Sequence, residues 1–185
     1  EFMIDRDESS VGSEVVKIWT GTLAENAEII EFACGSGYPI SKTLVDSGVR
    51  LWAIDSSKTL IKEFQSRFPG VQARCERAQE SDHFGRIFDA AVAIGFIFLL
   101  SEDDQISFIT KVAGLLDPGG RFIVSAPIEE CVWEDLITGS ECRSLGYQKY
   151  AGALAKSGLN IVSTIEDTGK NNYYETEKIK LGSDS

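Results

Sequence analysis

The amino-acid sequence predicts a doubly wound α/β domain, a mainly parallel sheet with helices on both faces and an antiparallel strand pair at its C-terminal end. Three observations predict it. Residues 29–45 pass from a short apolar run through two glycines one residue apart into a helical pattern. Residues 88–95 (Phe-Asp-Ala-Ala-Val-Ala-Ile-Gly) form a nearly continuous apolar run, as a central parallel strand covered on both faces should be. Residues 159–165 and 173–180 read as two further strands that pair antiparallel.

In chain order, residues 3–9 are polar and expected to be mobile, after a Glu1-Phe2 pair that resembles a cloning scar. Val11, Val15, Ile18 and Trp19 recur at helical spacing, which predicts an amphipathic helix over about residues 10–24. Trp19 is expected in the core. Strand one should span residues 27–33, and the helix after the glycine turn about 39–47, ended by Gly48. Glycines at 35 and 37 let the backbone turn sharply, or approach a ligand with no side chain between. Free N–H groups at the following helix start would attract an anionic group.

The segment Glu31-x-Ala33-x-Gly35-x-Gly37 resembles the first motif of class I S-adenosylmethionine (SAM) dependent methyltransferases of the small bacterial type. That family carries an acid followed by three glycines at alternate positions; Ala33 replaces the first of them. The turn from helix to fifth strand, Leu115 to Val124 with Pro118-Gly119-Gly120 at its centre, is similar to a second family feature. Together the two cover about residues 28–180 and imply a Rossmann-like sheet of seven strands. They also imply SAM as cofactor and S-adenosylhomocysteine (SAH) as product. Glu31, Ala33, Gly35 and Gly37 would then face or support the methionine end of the cofactor.

Residues 49–55 read as a second strand that finishes on Asp55, 18 positions beyond Gly37. A carboxylate at that strand tip is where an α/β cofactor site places its ribose acceptor, with Ser56 beside it. The other reading of Asp55 is an N-cap for the helix over 57–68, a task open equally to Ser56 or Ser57. After a third strand at 71–75, the family places an acid that binds the adenine amino group. Here the positions hold Arg77 or Ala78, so adenine recognition is expected from the backbone of Ala78 or Gln79, or from the Gln79 side chain. Gly95 opens an apolar stretch, 95–100, where relatives touch the sulfonium and the substrate; Leu99 occupies the place of a frequent histidine. Ser101 caps an acid-rich helix start, and that helix is expected to run through Leu116. Residues 128–144 read as irregular, and 145–157 as a helix.

With 185 residues, 43% of them hydrophobic, one domain over residues 3–181 is expected, followed by a disordered tail. The net charge of −11 argues against nucleic acid as substrate. No run of 18 apolar residues or signal-peptide pattern occurs, which predicts a soluble cytoplasmic protein without a membrane partner. Cys34, Cys75, Cys131 and Cys142 form no Cys-x-x-Cys pair and read as free thiols. A lone histidine, His83, excludes a histidine metal cluster; its polar loop suggests a solvated side chain rather than a general base.

The function expected is methyl transfer from SAM to a small-molecule acceptor, with no catalytic side chain and no metal, by a monomer or weak dimer. Two rivals stand beside it. An NAD-dependent reductase would need a small residue where Ile40 stands. A non-catalytic domain would bind SAM, or nothing, and act through a partner. Arg6 or Trp19 are candidates for a lid over the cofactor. On the substrate side, Phe96, Phe98 and Leu99 with the 127–135 loop should form the roof. Glu129, Glu130 and Glu134 around Trp133 would suit a cation-bearing acceptor, unless these acids are simply solvated.

Overall fold

A computed structural model describes residues 10–136 and 138–180. The expectations for residues 3–9, Arg6 and the tail after residue 180 lie outside these described residues.

The elements follow the predicted alternation. Helix α1 (Ser13–Thr20) precedes β1 (Glu28–Phe32), α2 (Ile40–Asp46), β2 (Arg50–Asp55), α3 (Lys58–Arg67), β3 (Gln72–Cys75) and β4 (Phe88–Ala93). Next come α4 (Glu102–Gly114), β5 (Leu116–Ser125), β6 (Glu130–Glu134), β7 (Glu141–Leu145), α5 (Gly146–Lys156), β8 (Leu159–Glu166) and β9 (Asn172–Lys178). One sheet has seven strands in the order β3-β2-β1-β4-β5-β9-β8. The β1–β2, β1–β4, β2–β3 and β4–β5 pairs are parallel; β9 runs antiparallel to both β5 and β8. The order reverses between β1 and β4, so a crevice opens where their carboxyl ends part.

Strand alternation divides the core in two. Ile30, Phe32, Trp52, Ile54, Ala91 and Phe122 face α4 and α5, meeting Phe108, Val112, Tyr150 and Leu154. Ile29, Leu51, Ala53, Ala90, Val92 and Ile123 face the other way, meeting Trp19, Leu44, Ile61 and Phe64. Burying both faces of the central strands is what their unbroken apolar runs require.

Four expectations change. Helix α1 is shorter than the spacing suggested, and Val11 and Ile18 are exposed; Val15, Val16 and Trp19 form its buried stripe. Helix α4 stops at Gly114, and Leu116 already pairs with Phe88 as the first residue of β5. The register then shifts so that Ala90 meets Arg121, leaving the Pro118-Gly119-Gly120 turn as a bulge. Residues 130–134 and 141–145 are not irregular. They fold as an antiparallel hairpin, β6–β7, with Trp133 opposite Cys142. The buried Gln105 of α4 anchors the hairpin: its amide donates to the Arg143 and Leu100 carbonyls, and its oxygen accepts from Tyr150 at 2.7 Å. Burial pushes the Tyr150 phenol upward in pKa, so it stays a donor.

Candidate functional site: two cavities that meet at Gly95

The glycine turn sits where β1 ends. Ala33 adopts φ 54°, the left-handed conformation that favours glycine. Gly35 follows at φ 59° and donates its N–H to Asp55 Oδ2 at 2.9 Å. Gly37 has φ 96°, and its bare α-carbon faces α3: a Cβ there would lie 2.3 Å from the Phe68 ring and 3.1 Å from Phe64. Its need for glycine therefore comes from helix packing as well as from the turn. Glu31 is buried behind the turn, where it accepts from Ser41 Oγ of α2 at 2.6 Å. It ties helix to strand and does not line the cavity described next.

Asp55 ends β2 in a half-buried position. Its second oxygen accepts from Ser57 N at 2.8 Å, while Ser57 itself caps α3 through the Leu60 N–H. The capping task thus belongs to Ser57. The carboxylate joins two loops, and with each oxygen holding one N–H it keeps further acceptor capacity. It borders a cavity of about 370 Å³ lined also by Ala33, Ile54, Ser56, Leu60, Ala78, Gln79, Gly95, Phe96 and Leu99. Ala33, Asp55, Ser56, Ala78, Gln79 and Gly95 are thereby brought together; Glu31, Gly35 and Gly37 stand behind them.

The Ala78–Gln79 turn is held from its carbonyl side. His83 is only 2% exposed, packs its ring edge-on against Phe32, and lies 3.1 Å from the Ala78 oxygen. A carbonyl can only accept, so Nε2 carries the hydrogen. Lys111 of α4 donates to the Gln79 carbonyl. Among the described residues, nothing accepts the N–H groups of Ala78 and Gln79. The expectation of a solvated His83 is therefore corrected: a hydrogen-bond partner and an aromatic neighbour let this polar ring enter the core. Burial, outweighing the Ala78 hydrogen bond, lowers its pKa and keeps it neutral. No local signal marks this, because Phe32, 51 positions earlier, approaches His83 only through the fold.

A second cavity of about 340 Å³ adjoins the first at Gly95 and is lined by Ile94, Phe98, Trp133, Asp135, Asn172 and Tyr173 among others. Ser125, at the end of β5, accepts the Gly95 N–H at 2.7 Å and so fixes the shared wall. The Phe98 and Trp133 rings lie 5.3 Å apart, tilted by 50°. Of the three predicted acids, Glu129 is exposed just before β6, and Glu130 and Glu134 do not flank Trp133. Alternation along β6 sends Glu130 and Glu134 to the opposite face, and Glu130 pairs with Lys149 at 3.0 Å.

Residues 29–120 match the family model of a methyltransferase domain. A probable S-adenosylmethionine-dependent methyltransferase of Mycolicibacterium smegmatis is 28% identical over 102 residues. The chain belongs to the class I SAM-dependent methyltransferases. The match to that curated methyltransferase covers 54% of this chain and 38% of the relative's length. Among solved structures, the Burkholderia thailandensis 1,6-didemethyltoxoflavin-N1-methyltransferase superposes with a TM-score of 0.77 at 17% identity, over 97% of this chain and 82% of that one. A glycopeptide N-methyltransferase complexed with SAH gives 0.76 at 17% identity, over 92% and 91%. A methyltransferase from Clostridium acetobutylicum gives 0.72 at 15% identity, over 91% and 90%. At such identities the structural matches show the methyltransferase fold alone.

Proposed function

We propose that the protein transfers the methyl group of SAM to a small-molecule acceptor and releases SAH. One observation carries this reading: an acid-tipped cavity at the β1/β4 switch point shares Gly95 with a second, aromatic cavity. The first cavity fits the cofactor in chemistry. Asp55 would accept the ribose hydroxyls, with Ser56 at its side, and the free N–H groups of Ala78 and Gln79 would meet the adenine edge. Leu60, Phe96 and Leu99 would cover the adenine faces. Ala33, Gly35 and Gly37 would shape the path of the methionine end, supported from behind by Glu31. SAM supplies a methyl already activated on a sulfonium, so the protein's task is alignment.

The chain's own residues agree with a reaction governed by position. Its one histidine is buried against Ala78 and borders neither cavity. Gly95, held by Ser125, leaves open space where the cavities join. A small acceptor is favoured over nucleic acid by the net charge of −11, and two of the structural neighbours are named as methyltransferases of 1,6-didemethyltoxoflavin and of a glycopeptide. The cytoplasm is the expected compartment; no described helix is long and apolar enough to cross a membrane.

Calorimetry with SAM, SAH and NADH tests the reading. SAM and SAH should bind and NADH should not. Heat with NADH alone would favour the reductase, and no heat with any of the three would leave a partner-binding domain.

A further inference from the structure

Gly95 lines both cavities and has no atom within 4 Å of where a Cβ would stand, so no side chain narrows the space beside the wall they share. Phe98 and Trp133 are both only partly buried, and their tilted pair leaves ring surface uncovered. A planar ring placed there would gain aromatic contacts and displace water from apolar faces. The volume, about 340 Å³, lies at the small end of ligand pockets.

The charges near this cavity are already engaged. Asp135 accepts from both the backbone N–H and the hydroxyl of Thr138, at 2.7 and 2.9 Å. Lys170 is 80% exposed and paired with Glu166 at 2.8 Å. Glu130 and Glu134 lie on the far face of β6. An anionic ligand would meet the Asp135 carboxylate and leave water with no free cation among the described lining residues to receive it. A cation would have to share that carboxylate with Thr138, whereas an uncharged ring gains the apolar contacts without that desolvation cost. By contrast, the Asn172 carboxamide has no hydrogen-bond partner among the described residues, and it can both donate and accept.

We infer that the second cavity selects an uncharged, planar aromatic or heteroaromatic acceptor, gripped by Phe98 and Trp133 and oriented through a polar edge by Asn172. The inference rests on the methyl-transfer reading, and it replaces the cation-bearing acceptor that the acids around Trp133 suggested.

The test uses the full chain saturated with SAH, titrated with 2-naphthol and 4-hydroxyquinoline. Phenethylamine, benzoate and cyclohexanol serve as cationic, anionic and non-planar controls. The two neutral ring compounds should bind more tightly than the controls and quench tryptophan emission. Trp19 and Trp52 are buried in the core, so Trp133 is the expected reporter. Trp133→Leu should weaken binding by about fivefold to tenfold, the scale of an aromatic contact. Trp133→Phe should keep the calorimetric affinity and lose the quench, and Asn172→Ala should weaken both compounds with the Phe98–Trp133 pair intact. Binding of phenethylamine or benzoate as tight as that of 2-naphthol would overturn the inference, as would indifference to both Trp133→Leu and Asn172→Ala. SAH is titrated first, in the same sample. Failure there sinks the cofactor reading, whereas SAH binding with no ring binding sinks only the inference.

Discussion

The two cavities that meet at Gly95 are built by different means. The Asp55 side is mostly main chain: a left-handed turn at 33–37, two loop N–H groups on one carboxylate, and a 78–79 turn fixed through its carbonyls. The Trp133 side is mostly side chain, carried by a hairpin and the 95–100 segment and locked by Gln105. Main-chain geometry changes little under most substitutions, whereas side chains can be exchanged without moving the sheet. The first cavity is thus suited to an invariant ligand and the second to a ligand that can differ between relatives.

Substitutions on the Asp55 side should accordingly damage fold and cofactor binding together. The largest effect is expected for Gly37→Val. Overpacking against Phe68 and Phe64 costs about 1–3 kcal/mol, and left-handed backbone adds about 1–2 kcal/mol for a residue with a Cβ. Chemical denaturation without cofactor should show the loss. Unchanged stability with abolished SAH binding would instead mean that Gly37 faces the cofactor and not the helix.

Next in size, Asp55→Ala should weaken SAH binding by about 1.5–3 kcal/mol, the range for hydrogen bonds to a charged group. Because Asp55 also holds Gly35 and Ser57, the melting temperature should fall as well, in contrast to a side chain that only touches ligand. Calorimetry and melting on one preparation separate the two; an unchanged dissociation constant would show that Asp55 only joins the loops.

A smaller effect, and of opposite sign, is expected for Ala33→Gly. Relief of the left-handed conformation at φ 54° should stabilise the folded protein by up to about 1 kcal/mol, offset in part by the added freedom of the unfolded chain. Denaturant midpoints of the two proteins decide it, and a destabilised Ala33→Gly would show that the Ala33 methyl contributes packing that outweighs the strain.

The smallest effect is a pH slope. His83 is held below its ordinary value of 6.5 by burial, with Lys111 also disfavouring its charge and Asp82 and Glu76 favouring it. Above the unfolded value both states are neutral and its contribution is complete; as pH falls through the folded value the contribution is lost. Between about pH 7 and about pH 5.5 the parent should lose melting temperature more steeply than His83→Gln. Equal slopes would mean that the ring is not buried neutral. Nothing comparable is expected on the Trp133 side, where no histidine stands.

Residues close in sequence carried most of what could be read without coordinates. The unbroken apolar run of β4 and the strand–turn–helix at 29–45 each depend on neighbours a few positions away. So does Asp55 at a strand tip. Local periodicity and backbone preference dictate such features before any tertiary contact forms. What the tertiary structure alone decided is which side chains meet across distant segments. His83 enters the core because Phe32 and Ala78 receive it. The 130–145 segment pairs as a hairpin because Gln105, some 38 positions before Arg143, holds its second strand. Gly37 is needed partly because Phe68 lies over it. A polar residue in a sequence carries no record of whether a partner awaits it in the interior, and burial is favourable only when one does.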